Sequence, residues 1–443
     1  MRSSPIPACA RRRGAAPRAF SVVAVAEWAL ALWAVAAGAT SLAAQPLAAQ
    51  PLPATRAFTG ATLIDGTGRA PVTNATLLVR GGRVVAAGPA RQVRVPADAE
   101  RVDLTGKVII PGLINAHGHA SSVANLATYA AYGVTTVYSL GDEPAEVFAA
   151  RAAQRTAVPP HARVFVAGPV LTPTTPEEAK TQVASVVAQG VDIVKIRVDD
   201  NLGTAPKMPP AVYRAVIDEA HTRGQRVAVH VYYLDDTRAL LDAGADFIAH
   251  SVRDQAVDAA FVQRLAKSGV CYSPTLMREV STFVYDTVPS FFADSQFLAH
   301  ANRQWMATVS APARMAATRT STSAQRYRAQ LPVAMRNLAT LAQAGVPIAM
   351  GTDTGPLGRF QGYFELLEME MMVDAGLSPE AVLHSATRDA ARCLRLDREL
   401  GTLEPGKWAD FVVLEASPLE RIGNIRRQHS VWIGGARVNT APR

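Results

Sequence analysis

Cysteine is scarce in this chain of 443 residues: Cys9, Cys271 and Cys393 are all there is. So few, so far apart, make no disulfide framework. Charge is thin as well. Asp, Glu, Lys and Arg together reach 19% against 49% apolar residues, which excludes wholesale disorder. Aromatics are 6% of the chain, and no basic stripe interleaves with them, so a net charge of +8 leaves no nucleic-acid footprint. A Gly-rich dinucleotide fingerprint is also missing, which weakens the case for a doubly wound open sheet.

Half of the net charge sits at the start. Residues 1–45 hold five Arg and one Glu, a net +4. Arg11, Arg12, Arg13 and Arg18 precede an apolar stretch over 20–39 that only Glu27 interrupts, and Ser41-Leu42-Ala43 follows as a small-x-small site. This is the pattern of a secretory signal cut near residues 43–50, placing the mature chain in the periplasm or outside the cell. An uncleaved membrane anchor is the alternative, but the longest clean apolar run, 28–39, is short for a span of ~20 residues. Cys9 precedes the apolar core and is misplaced for lipid attachment. Cys271 and Cys393 lie in apolar surroundings and read as two buried thiols.

Residues 46–56 (AQPLAAQPLPATRA lies across them) read as a flexible N-terminus. Residues 57–106 show short alternating strands punctuated by Asp65-Gly66 and Gly81-Gly82, and residues 396–443 return to that β texture. The two ends are expected to complete one β domain. Between them, residues 107–395 alternate strands with helical runs, the signature of βαβ units. Eight strands are expected, at 108–115, 134–140, 163–168, 192–198, 226–232, 247–251, 270–275 and 347–352. Eight units in this length predict a (β/α)8 barrel. Residues 277–343 are too long for a connector and predict a helical insert that could cover the site.

Active sites of such barrels lie at the C-terminal ends of the strands. Strand one ends in NAHGH, where His117 and His119 sit two apart and so share a face. Strand four carries Lys195 among β-branched residues, strands five and six end in His230 and His250, and strand eight ends in Asp353. One strand-end histidine is more often structural than ligating. Four, with a lysine and a carboxylate on companion strands, point to metal. His161, His221, His300, His384 and His429 fall elsewhere and read as structural or surface residues.

This constellation resembles the amidohydrolase superfamily, in its imidazolonepropionase/prolidase-like branch. The flanking runs GATLIDGTG (60–68), GVTTV (133–137) and GTLEPGKWADFVVL (401–414) are similar too, and the likeness spans residues 57–438. It implies an α/β fold, a (β/α)8 TIM-like barrel with a small β-sandwich built from both chain ends. It further implies that His117, His119 and Asp353 hold one divalent cation and His230 and His250 a second, with zinc suited to both by ligand type. Lys195, as a carbamate formed with CO2, would bridge them. A bridging hydroxide would attack the amide carbonyl, and Asp353 would carry its proton to the leaving nitrogen.

Lys195 favours the binuclear, dipeptidase-like group, since ring-opening imidazolone hydrolases resemble a mononuclear design without it. In that group a Tyr two residues past the strand-five His binds substrate, which marks Tyr232, with Tyr233 as the alternative. Arg253 is the candidate for a substrate carboxylate; Arg197 is a second option, and a surface ion pair to Asp254 or another acid is the competing role for Arg253. Only thirteen residues separate His119 from Gly133, where dipeptidase relatives have a longer loop. The expected activity is hydrolysis of a linear amide, such as a dipeptide, an Xaa-Pro-like peptide or an N-acyl amino acid. Ring opening of a cyclic amide is the second reading and a non-catalytic barrel the third. The expected partners are a small-molecule substrate, no nucleic acid, no stable membrane association after signal cleavage, and at most a homo-oligomer.

Overall fold

A computed structural model describes residues 55–441. The expected signal segment and nearly all of the expected flexible N-terminus lie outside the described residues; Arg56 already opens the first strand. Strands β1 (Arg56–Leu63), β2 (Val72–Arg80) and β3 (Arg83–Pro89) form an antiparallel meander. The other edge of β1 is divided. Its first half pairs in parallel with β4 (Glu100–Asp103) and its end with β5 (Val108–Pro111).

The apolar run at 108–115, expected as one strand, breaks at Gly112. Val108–Pro111 belongs to the β domain, and β6 (Leu113–Gly118) starts the barrel. Pro111 brings no N–H to continue a ladder. Gly112 then packs against Thr135 so tightly that any side chain would collide with it. The boundary between the two parts therefore falls at residue 112 and not at 107.

Strands β6, β7 (Val134–Ser139) and β8 (Arg163–Phe165) make one parallel arc. A second arc holds β9 (Val194–Arg197), β10 (Val227–His230), β11 (Phe247–Ala249) and β12 (Cys271–Ser273). Helices such as Pro176–Ala188, Pro210–Thr222 and Ala259–Ser268 separate them. The expected eighth strand at 347–352 does not form a ladder. Isolated parallel bridges, Tyr272 to Ile348 and Gly118 to Thr354, attach this segment to its neighbours, and Leu171 to Ile196 links the two arcs. The ring is thus two arcs joined by single bridges rather than one continuous eight-stranded sheet.

The chain then returns to the β domain. Strand β13 (Phe411–Leu414) pairs antiparallel with β5, followed by β14 (Gln428–Ile433) and β15 (Ala436–Arg437). Both chain ends share one core, where the rings of Phe58, Phe411 and Trp432 meet at centroid distances of 4.7–5.7 Å. A buried ion pair fastens this domain to the barrel: Arg163 Nε lies 2.6 Å from Asp410 Oδ2.

Residues 276–343 are largely helical, in Leu276–Ser281, Ser295–His300, Arg303–Val309, Pro312–Thr320 and the long Thr322–Gln343. The long helix lies over the ligand-bearing end of the second arc. There Asn337 donates to the carbonyls of Val252 and Gln255, both at 2.9 Å, and accepts from Val257 N–H at 3.0 Å. The aromatics of the insert pack as core: Phe297 lies 5.1 Å from Phe291 and 4.9 Å from Phe360, centroid to centroid. Among the described residues no helix is long and apolar enough to cross a membrane.

Cys271 and Cys393 are joined in a disulfide across 122 residues of sequence, correcting the expectation of two free thiols. The apolar surroundings were read correctly, but burial alone cannot tell a thiol from a cystine half. The bond ties the start of β12 to the short helix Arg388–Cys393.

Candidate metal centre

His117 and His119 flank the end of β6, where the alternation of the strand turns both rings to one side, 5.9 Å apart. Asp353 meets them from the bridged eighth segment. Its Oδ1 lies 2.9 Å from His119 Nε2 and 3.6 Å from His117 Nε2. One donor atom from each of these three residues falls within 4.8 Å of the others. His250 packs 4.5 Å from His117 and 4.1 Å from His230, so the four imidazoles converge on one space. Lys195, on β9 beside the His230 strand, is 3% exposed.

Local backbone strain accompanies the cluster. Asp353, His250 and Thr275 all have positive φ, at 57°, 82° and 50°, where ordinary side chains are disfavoured. His250 is oriented by Thr275 Oγ1, 2.8 Å from its Nδ1, and His119 by the carbonyl of Gly141, 3.2 Å from its Nδ1. Such partners fix which ring nitrogen faces the centre.

The electrostatics suit cation binding. Burial pushes His117 and His250 well below the ordinary imidazole range and His230 down to about 4, so all three are neutral and offer lone pairs. Burial likewise draws the Lys195 ammonium down to about 7, against the opposing pull of Asp353 and Asp199. For Asp353, burial acts to raise the pKa, but Arg359, His119 and His117 hold it well below the carboxylate range. Among the candidate ligands, His117 Nδ1 and Lys195 Nζ are buried with no hydrogen-bond partner. His230 Nε2 lies 3.0 Å from Asp199 Oδ2, its partner in the absence of a cation. Buried polar atoms without partners are costly. Neutral imidazoles, one carboxylate and orphaned donor atoms together fit a divalent cation.

The expected substrate residues are placed differently from one another. Tyr232 is buried and its hydroxyl donates to Gln330 Oε1 on the long insert helix. Tyr233 points its hydroxyl at Asp200, 2.9 Å away. Arg253 is fully buried rather than on the surface, with Nη1 donating to the carbonyls of Val231 and Ser251 and Nε 3.1 Å from Glu279 Oε2. Asp254 instead accepts from Leu234 N–H, so the surface pair does not form. Arg197 pairs with Asp199 at 3.1 Å. His161, His221 and His429 are engaged away from the centre, with Ala162, Asp246 and Glu415.

Two arginines missed in the sequence join the site. Arg359 pairs with Asp353, and Arg278 places Nε 3.9 Å from the same carboxylate while Nη1 lies 3.2 Å from Glu279. Glu279 thus serves Arg253 and Arg278 together. Nothing in the sequence signals this, because Arg278 opens the insert and Arg359 lies in a loop.

Comparison with known proteins bears on this site. The model described as the amidohydrolase family matches residues 108–438. Imidazolonepropionase of Streptomyces coelicolor is 26% identical over 367 residues, covering 78% of this chain and 86% of the relative. Among solved structures, a Bifidobacterium longum protein assigned provisionally as a prolidase superposes with a TM-score of 0.73 at 28% identity, covering 89% of this chain and 97% of that one. A Xaa-Pro dipeptidase with bound methionine gives 0.70 at 20% identity, covering 87% and 99%, a likeness of fold. With these neighbours the two arcs are a TIM-like barrel carrying an additional domain.

Proposed function

Since the chain belongs to the amidohydrolase family, metal-dependent hydrolases of carbon–nitrogen bonds, we propose that its own substrate is a linear amide bearing an anionic group. Dipeptides, Xaa-Pro-like peptides and N-acyl amino acids are the classes meant. The observation that carries this reading is the convergence of His117, His119, His230, His250, Lys195 and Asp353 at one end of the two arcs. His117, His119 and Asp353 would hold one cation, and His230 and His250 another, with Lys195 as a carbamate between them. Zinc suits this donor set. Divalent cations bound there would polarise the amide carbonyl and supply hydroxide at neutral pH.

The side chains of the chain supply the rest. Asp353, ionised and within 2.9 Å of His119, is placed to take a proton from water and pass it to the departing nitrogen. Support for an anionic substrate comes from Arg253, Arg278 and Arg359, which between them face two carboxylates, Glu279 and Asp353. That leaves a buried excess of positive charge, and Arg278 Nε has no hydrogen-bond partner. The Tyr232 ring lies 4.5 Å from the Arg253 guanidinium carbon and completes this wall. The insert helix above it would exclude water during the reaction.

The likeness to imidazolonepropionase favours ring opening of a cyclic amide as the second reading. One screen tests both. Protein stripped by chelation and reloaded with zinc, manganese or cobalt is assayed for amine release and ring opening on dipeptides, N-acyl amino acids and cyclic amides. Metal-restored turnover of carboxylate-bearing linear amides is the expected result. Turnover confined to cyclic amides selects the second reading, and no metal-dependent turnover on any class sinks both. Export to the periplasm or beyond is proposed as well. The Cys271–Cys393 disulfide supports it, because such bonds persist in oxidising compartments. Cell fractionation tests it, and N-terminal sequencing tests cleavage; recovery of the protein in the cytosol with Met1 intact overturns export.

A further inference from the structure

Beneath the ligand cluster lies a carboxylate that the proposed chemistry does not use. Glu365 projects from the helix Tyr363–Asp374 and is completely buried. Its Oε1 accepts from three side chains at once: Asn115 Nδ2 at 2.6 Å, Thr352 Oγ1 at 2.6 Å and Thr354 Oγ1 at 2.5 Å.

Each of these partners touches the backbone of a candidate ligand. Thr352 and Thr354 are the two neighbours of Asp353, whose φ of 57° must be held against its own preference. Asn115 Oδ1 accepts from His117 N–H at 2.9 Å. The Thr354 hydroxyl lies 2.7 Å from the Tyr129 hydroxyl, which in turn lies 3.1 Å from the His119 carbonyl oxygen. The Asp353 N–H closes the set by donating to the His117 carbonyl at 2.6 Å. One acceptor oxygen therefore underlies all three residues expected to hold the first cation, although it reaches none of them directly.

We propose that Glu365 is the positioning residue of this centre, its Oε1 fixing the backbone that aims His117, His119 and Asp353. The proposal rests on the reading that those three residues hold a cation. Outer partners of metal ligands commonly control affinity by about 10–100-fold. The role here is that of a hydrogen-bond acceptor at one point in space. Glutamine can keep that oxygen; leucine fills the volume without it.

The two substitutions separate positioning from packing. Metal affinity is measured by competition with a chromophoric chelator, and ligand geometry by the visible absorption of the cobalt-loaded protein. Glu365→Leu should weaken binding about 10–100-fold and alter the cobalt spectrum, while Glu365→Gln stays near the parent protein. A side chain that merely fills the core predicts the reverse order, because leucine is the better core residue. Leucine tolerated as well as glutamine overturns the proposal. If the leucine variant fails to fold, Thr354→Val, which deletes one hydroxyl, decides by the same measurement. Unchanged affinity and spectrum there overturn it too. A parent protein that binds no divalent cation removes the underlying reading, and this inference with it.

Discussion

A Cβ added to Gly112 would lie 2.0 Å from Thr135 Oγ1, closer than any real side-chain contact. This contact marks where the chain leaves the β domain and enters the barrel. Gly112→Ala is therefore expected to destabilise the protein by about 1–3 kcal/mol through overpacking. Adding Thr135→Ala removes the two nearest atoms and should recover part of the loss. Urea unfolding of the single and double variants measures both. Independent, additive losses would show that the two positions do not press on each other.

Lys195 gives a second prediction. Its Nζ is buried without a partner beside the His230 strand. If its carbamate bridges two cations, Lys195→Ala should lower the metal content from about two to about one per chain, with the loss falling on the His230 and His250 site. Elemental analysis of the reconstituted protein reads this directly. Full occupancy in the variant would rule the bridge out.

Glu368 lies one turn beyond Glu365 on the same helix and accepts from the N–H groups of Leu276 and Met277 at 2.7 and 2.6 Å. Burial, with smaller contributions from Glu365 and Glu279, pushes its carboxyl up to about 8 from 4.5. A raised carboxyl favours the protonated form in the folded state. Its stabilisation is complete below the unfolded value and is lost as pH climbs from about 4.5 to about 8. Glu368→Gln cannot ionise, so its unfolding midpoint should fall less over this range than that of the parent. Parallel pH profiles would refute the assignment.

The disulfide supplies a fourth. It closes a loop of 122 residues, long enough for its loss to cost about 2–5 kcal/mol. Reductant should lower the denaturation midpoint of the parent protein and leave that of Cys393→Ala unmoved. A parent midpoint insensitive to reductant would contradict the bond.

The candidate centre was legible because its residues are of rare type at a predictable place. The four histidines stand at strand ends, Lys195 lies within β9 and Asp353 closes the apolar eighth segment, and all of these places can be read from apolar runs. Arg278, Arg359 and the burial of Arg253 were not legible for the opposite reason. Whether Arg253 turns inward depends on Glu279, a residue of the insert, and no local pattern couples the two. The break at Gly112 was hidden inside a run that is apolar on both sides, because both of its halves are buried, in different sheets. The eighth segment looked like a strand by composition, yet it makes only isolated bridges. The pairing of Cys271 with Cys393 needed the barrel to bring distant segments together, and spacing carries no trace of that.

The pairing of β5 with β13 has a consequence for the order in which the molecule can be made. Val108–Pro111 leaves the ribosome some three hundred residues before Phe411–Leu414, its antiparallel partner. Until then β5 has an open edge and Ile109 lacks the late-arriving Phe411 and Val413 of its core cluster. Contacts this distant in sequence form slowly and leave strand edges open to wrong partners meanwhile. The nascent chain is thus obliged to wait for its own tail. A chain that ended after the barrel, with all six candidate ligands present, would be left with an unpaired β edge and an uncovered core.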